Sequence, residues 1–281
     1  MPHTIAIVFD FDDTLARDST SSYLHSLGVD VHEFWKDTVH RLVLEDWDPI
    51  PAYLYSMIRM SQEGRCGPIT QDSLVAWGDK IQYYPGVEEI FQRLHEYAAR
   101  FNHGIELEFY LISSGIATVL RNTSIADHFT DIWGCDFAFD QSGSITFPKR
   151  IVSFTDKTRY IFHISKGLVG PPSRGRPFDV NRKVDKQHLR IPLNQMIFVG
   201  DGYTDIPCFS LVRKGGGIAI GVYDSGDRET WGKAWGFIEQ NRVSNLVPAD
   251  YQEGSALFNS LLMAVESMAR RAELHESTYQ G

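Results

Sequence analysis

"IAIVFDFDDTLARDST", residues 5–20, joins five consecutive apolar residues, Ile5 to Phe9, to four aspartates, Asp10, Asp12, Asp13 and Asp18. The apolar run, rich in β-branched residues, reads as a central strand buried on both faces. Carboxylates gathered at a dry strand end repel one another, so a cation or a proton has to sit among them. A second stretch, "QMIFVGDGYTDIP" at 195–207, repeats the design: an apolar strand ending in Asp201 and Asp205. In an open parallel sheet, ligands gather beyond the carboxyl ends of the strands, and adjacent strands aim their side chains at one spot. Asp10 and Asp12 stand two apart and point the same way if strand geometry persists, and Asp201 closes the site from the neighbouring strand. Three oxygen ligands, with other positions left to water and a phosphate, match the way Mg²⁺ is held. Any one of these aspartates alone reads equally well as a cap or turn former. That reading does not explain why two buried strands end alike.

The rest of the chain alternates strands with helical patterns, the signature of a Rossmann-like α/β fold: a mostly parallel sheet with helices on both faces. Residues 17–84 interrupt it. Phe34, Trp35, Val39, Leu42 and Val43, then Leu54, Met57 and Ile58 after Pro51, recur at helical spacing. Thr70 is placed as an N-cap for the segment through Trp77. The expected organisation is therefore a core of residues 1–16 and 85–281 with a helical cap, 17–84, inserted after the first strand. Beyond Pro85 and Gly86, Val87, Ile90, Phe91, Leu94 and Ala98 form an amphipathic helix, and Glu106 to Ile112 a second buried strand stopping at "SSG". A further helix is expected from about Ile116. "DFAFDQSGSITF" reads as a hairpin turning at Ser142 and Gly143. "FTDKTRYIFHISKG" reads as a helix with Thr155 as N-cap and Gly167 as stop. Residues 169–186, rich in Pro, Gly and Arg, read as a long loop, either covering the site or mobile, with the mobile reading favoured. "GIAIGV" reads as a short strand and Ala256 to Arg271 as a closing helix.

The sequence has 281 residues, 43% of them hydrophobic, which supplies a sizeable core. A net charge of −9 argues against a general nucleic-acid binder, which needs cationic surface. Cys66, Cys135 and Cys208 are odd in number and lack C-x-x-C spacing, which suits free thiols in a reducing compartment. No apolar run approaches a membrane span, and no signal segment precedes the first strand, so a cytoplasmic location is expected. The ten histidines show no zinc-binding spacing.

Four motifs in order, "DFDDT" at 10–14, Ser113 in "LISSG", Lys157 in "TDKTRY" and "GDGYTD" at 200–205, resemble those of the haloacid dehalogenase (HAD) superfamily. The likeness is to its phosphoserine-phosphatase-like branch of aspartate-nucleophile phosphatases. The resemblance covers nearly the whole chain and implies Mg²⁺-dependent hydrolysis of a small phosphorylated metabolite. Asp10 would attack phosphorus and become an aspartyl-phosphate. Asp12 would protonate the leaving alcohol and then take a proton from water, its backbone carbonyl more than its carboxylate facing the metal. Ser113 would donate to a phosphoryl oxygen, aided by backbone N–H groups around Ser114 and Gly115 at a helix N-terminus. Lys157 would offset the charge of the phosphoryl group, and Asp205 would orient Lys157 or a metal-bound water. Lys157 also stands out without the motif, because a cation in a helix's first turn opposes the macrodipole unless an anion binds there. Lys149 and Lys166 are its rivals.

Asp12 implies an oxygen leaving group, hence a phosphatase and not a dehalogenase. Phosphotransferases share the same residues, and a catalytically silent relative that binds a phosphorylated ligand or a protein is the second reading. Phosphoserine phosphatases carry a glutamate early in the cap for the substrate ammonium, whereas this chain has Ser19, Thr20, Ser21 and Ser22 there, so phosphoserine is not the expected substrate. Arg59 and Arg65 could bind an anion or sit as exposed helix-end residues, and Trp35, Trp47, Tyr53 and Tyr55 could line a pocket or pack the cap.

Overall fold

The computed structural model describes residues 3–101, 104–226, 236, 238 and 240–279. Its centre is β1 (Thr4–Phe9), whose residues Ile5 to Phe9 are at most 1% exposed. Flanking it in parallel are β2 (Glu106–Ile116) and β5 (Met196–Gly200), with Ile7 opposite both Phe109 and Ile197. The described strands form one sheet of order β4-β3-β2-β1-β5-β6-β7. All pairs are parallel except β3 (Phe129–Phe139) with β4 (Ile145–Arg150), the expected hairpin. β6 (Ile218–Tyr223) is also as expected. β7 (Asn245–Pro248) is not, because four residues holding Asn and Pro carry no strand periodicity.

Alternation along β1 divides the core in two. Ile5, Ile7 and Phe9 pack with α6 (Val87–Ala98) and α10 (Ala256–Tyr279) on one face. Ala6 and Val8 pack on the other with α8 (Phe154–Lys166), α9 (Ile206–Lys214) and the helices that follow β1. Those helices are α1 (Ser19–Ser26), α2 (Val31–Glu33), a π-helical stretch Phe34–Val39, α3 (His40–Leu44), α4 (Pro49–Gln62) and α5 (Gln71–Gly78). Thr70 caps α5, its hydroxyl accepting the Ser73 N–H at 3.1 Å. Tyr23, Phe34, Tyr53, Leu54 and Met57 bury their side chains in the same cluster as that sheet face. The chain enters and leaves this helical segment at one place: Ala16 bridges Tyr83, and the Tyr84 N–H donates to Leu15 O at 2.9 Å.

Two local expectations give way. β2 continues through "SSG" to Ile116, because Ile116 still pairs with Cys135 across a bulge, and the helix after it, α7 (Ala117–Leu120), is a single turn. The N-cap of α8 is Ser153, not Thr155; the Asp156 carboxylate accepts the Ser153 hydroxyl (2.8 Å) and N–H (3.3 Å), closing the first turn two residues earlier. Residues 169–186, expected as a long loop, carry two short 3₁₀ turns, Pro171–Ser173 and Asp179–Asn181, and run into a third, Lys186–His188. Lys166 donates to the Val180 and Arg182 carbonyls, and Asp179 pairs with Arg176 and Arg182, fastening the loop to the C-terminal end of α8. Lys157 lies at the opposite end of that helix.

Gly86, where the chain rejoins the core, has φ +80°, and a Cβ there would lie 2.5 Å from the Gln252 nitrogen and the Tyr251 carbonyl carbon. Gly86→Ala is expected to cost about 2 kcal/mol or more, roughly 4–8 °C in Tm. Gly28, at φ +81° with nothing within 4 Å of a Cβ, is the control. Gly28→Ala should lose about half as much in the same melting experiment.

Candidate active site

The turn after β1 is held from within. The Asp10 N–H extends the ladder to Val199 O (2.9 Å), the Phe11 N–H donates to Asp10 Oδ1 (2.8 Å), and Phe11 O accepts from Thr14, Leu15 and Ala16. Phe11 and Leu15 are fully buried, so the loop is pinned by its apolar members while the acids point out of the core. Asp13 takes up the reversal at φ 54°.

Lys157 is wholly buried, and its Nζ lies 2.9 Å from Asp10 Oδ2, 2.7 Å from Asp205 Oδ1 and 3.1 Å from Thr204 Oγ1. Burial pulls its pKa down, but Asp10 and Asp205 outweigh that and hold the ammonium well above its ordinary value. Asp205 Oδ2 also accepts the Gly202 N–H at 3.2 Å. It lies 2.4 Å from where a Cβ on Gly200 would be, so the strand end must be glycine. Carboxylate oxygens of Asp10, Asp201 and Asp205 come within 4.8 Å of one another. Three acids thus share one ammonium. Asp201 is left with the Thr14 hydroxyl at 3.5 Å, and burial, then Asp205 and Asp10, push its pKa well up. Asp205 rises to about 7 from burial first and then Asp10, against the pull of Lys157. An all-oxygen set with surplus negative charge and an underused carboxylate fits a hard divalent cation such as Mg²⁺.

Asp12 sits apart from that cluster. β1 stops at Phe9, so the strand alternation behind the expected pairing of Asp10 and Asp12 does not carry through to Asp12. The Asp12 carboxylate is absent from the acid cluster, and the third carboxylate there is Asp205. Asp12 Oδ1 accepts the Ser19 N–H at 2.7 Å, and Oδ2 faces Gly115, 2.7 Å from where a Cβ would be. Burial, then Asp18, raise its pKa to about 8 against the Ser19 hydrogen bond, which favours the protonated form.

Ser113 is buried, and its Oγ accepts the Gly115 N–H at 2.8 Å. That amide is therefore engaged, and Ser114 and Gly115 lie within β2, where a helix N-terminus was expected. The Ser114 hydroxyl oxygen is buried without a hydrogen-bond partner among the described residues. An orphaned hydroxyl beside Ser113 suits a ligand oxygen. The Ser114 carbonyl accepts the Tyr53 hydroxyl at 2.6 Å, which ties α4 to this edge of the site. Thr204, Tyr53 and the Thr14 side chain were not singled out for these contacts. Thr204 was visible inside "GDGYTD", whereas nothing local marks Tyr53.

The rival lysines are elsewhere: Lys149 is half exposed beside Asp136 (3.3 Å), and Lys166 serves the 169–186 loop. Arg59 and Arg65 both pair with Glu63 on the surface. Trp35 and Tyr53 pack together at 5.8 Å, while Trp47 and Tyr55 stack on each other, partly exposed.

No protein-family model matches the chain. An uncharacterised protein of Borreliella burgdorferi is 24% identical, over 92% of this chain and 95% of its own. Among solved structures, a HAD-family hydrolase from Salmonella enterica serovar Typhi gives a TM-score of 0.57 at 14% identity, covering 88% of this chain and 68% of that one. Phosphoserine phosphatase in its apo form gives 0.55 at 14% identity, with 86% and 92% covered. A probable phosphoserine phosphatase from Vibrio cholerae gives 0.57 at 12% identity, with 96% and 68% covered. The chain has the HAD-like fold, in the form seen in phosphoserine phosphatases.

A buried acid with a raised pKa stabilises the folded state most at low pH, and that contribution is lost as pH climbs from the unfolded value near 3.8 towards about 8. In Asp12→Asn the amide oxygen can still accept the Ser19 N–H, but no proton can leave. In EDTA, the Tm of this variant relative to the unsubstituted protein should rise steadily between pH 5 and 8. A difference independent of pH would show that Asp12 titrates normally.

Proposed function

We propose that the protein is a Mg²⁺-dependent phosphomonoester hydrolase that acts on a small phosphorylated metabolite through an aspartyl-phosphate on Asp10. Residues 17–84 would serve as a cap on the core formed by 1–16 and 85–281. The observation that carries this reading is Lys157, fully buried and shared between Asp10 and Asp205 while Asp201 stands beside them underpaired. A structural ion pair would need one carboxylate per ammonium; the excess acid here suits a site completed by a cation and a phosphoryl group.

Asp10 and Asp201 would hold Mg²⁺, which when bound neutralises carboxylate charge and draws a phosphoryl oxygen towards the site. Asp10 is the nucleophile, one oxygen held by the Phe11 N–H and the other beside Lys157. It attacks phosphorus, and the bond to the leaving oxygen breaks as Asp12 delivers its proton to that oxygen. Asp12 is then the base that takes a proton from water as water attacks the aspartyl-phosphate and frees Asp10. Lys157 offsets the phosphoryl charge throughout, held in place by Asp205 and Thr204. Ser113 would supply a hydroxyl to a phosphoryl oxygen. Ser19 to Ser22 offer no carboxylate for a substrate ammonium, which argues against phosphoserine as the substrate.

Release of phosphate from p-nitrophenyl phosphate with Mg²⁺ is expected, and should vanish with EDTA and in Asp10→Asn. Tight binding of a phosphorylated ligand without turnover would identify a silent binding protein instead. The role of Asp12 has its own signature. p-Nitrophenolate leaves without a proton, so Asp12→Asn should slow a simple alkyl phosphate by about 10²–10⁴-fold and the aryl ester much less. Equal losses on both substrates would remove Asp12 as the acid.

A further inference from the structure

Away from the acid cluster, beside α8 and the 169–176 segment, lies a cavity of about 280 Å³ that the proposed chemistry does not use. This is close to the lower limit of pockets that take small molecules, roughly 300–1,000 Å³. Five guanidinium-bearing residues line it, Arg121, Arg150, Arg159, Arg174 and Arg176, with Asp131 as the carboxylate in the wall. The chain as a whole carries a net charge of −9, so this concentration runs against its overall balance.

One carboxylate offsets only part of the charge of five guanidinium groups. Asp131 Oδ1 accepts the Ile132 N–H at 2.9 Å and Oδ2 the Gly170 N–H at 2.8 Å, so its oxygens hold backbone in place. Arg150 and Arg174 make no ion pair among the described residues. Arg121 reaches Asp136 at 3.7 Å, and Lys149 competes for that same carboxylate at 3.3 Å. Arg159 leans on the Tyr160 ring at 4.8 Å and has Asp156 at 3.9 Å, and Arg176 shares Asp179 with Arg182. Burial first and then the nearby Arg150, with Arg174 adding to it, lower the Arg121 pKa against the pull of Asp136 and Asp131, as expected of crowded cations that nearby acids offset only in part. The floor is rigid: Trp133 stacks on Tyr160 at 5.0 Å, and both rings are buried, so they support the arginines and leave no face free to receive a base.

We propose that this cavity is a second anion site, distinct from the acid cluster, that binds a small phosphate-bearing molecule through Arg150 and Arg174 with Arg121, Arg159 and Arg176 around it. Planar guanidinium groups converging on a small concave space match the oxygens of phosphate in number and geometry. α8 presents Lys157 to Asp10 and Asp205, and Arg159 and His163 to this cavity, so the two sites are served by one helix. The proposal does not depend on the catalytic reading and is tested without turnover.

Metal-free protein at physiological salt is labelled with phenylglyoxal, with and without inorganic diphosphate, and the modified arginines are located by peptide mass spectrometry. Arg150 and Arg174 should be protected by diphosphate while the exposed Arg65 is not. Diphosphate binding at this site, followed by calorimetry, should weaken at least about tenfold in Arg150→Gln/Arg174→Gln and stay unchanged in Lys36→Gln/Lys214→Gln, which removes the same charge elsewhere. Protection by orthophosphate or by a sugar phosphate in place of diphosphate supports the site equally and says which source of phosphate fills it. Labelling of Arg150 and Arg174 that ignores all three ligands would overturn the proposal without any variant having to fold. So would equal weakening in the two double variants, or protection by an oligonucleotide alone.

Discussion

An ammonium group with no access to water, surrounded by more carboxylate than it can neutralise, governs this molecule. Lys157 reaches its position because Ser153 and Asp156 start α8 where they do and because Tyr160, Ile161 and Ile164 anchor that helix in the core. Asp10 reaches it because β1 is buried on both faces and ends one residue earlier. Asp205 can press close because Gly200 has no side chain. Remove any of these supports and the ammonium is left buried without its partners, a state that costs several kcal/mol.

Much of this arrangement could be read from the sequence, for identifiable reasons. Apolar runs ending in acid announced β1 and β5, because continuous burial and abrupt charge are both visible in a single strand. The hairpin at Ser142 and Gly143 and the helix stop at Gly167 followed from backbone chemistry local to those residues. What stayed hidden depends on partners far along the chain. β7 is too short to show a period, and β2 runs on past "SSG" because β3 pairs with it, a fact held in another segment. The orientation of Asp12 depended on where β1 ends, and two-residue spacing along an ideal strand gave the wrong partner for it. Residues 169–186 read as a loop by composition, and the contacts that Lys166 and Asp179 make with it are not visible there. Composition does not reveal that a lysine on another element will bind two of the loop's carbonyls.

The helical segment touches the chemistry through few but specific contacts. Tyr53 donates to the Ser114 carbonyl, and Trp77 to the Ser19 carbonyl at 3.2 Å, next to the amide that holds Asp12. Trp35, on the π-helical stretch, stacks near Tyr53 and donates to Ser21 at 2.7 Å. The local widening of that helix thus occurs where its aromatic side chain meets the site's neighbours, a place where such irregularities recur.

The wide spacing of the central ion pairs along the chain also bears on how the molecule assembles. Asp205 is separated from Lys157 by 48 positions, and Asp10 from Lys157 by 157 − 10 = 147. A partly built sheet holding β1 and β5 without α8 would gather acids with nothing to oppose them. Docking of α8 closes a long loop and brings in the ammonium that offsets part of that repulsion. Correct threading of three distant segments is thus what brings Asp10 and Asp205 to their shared ammonium.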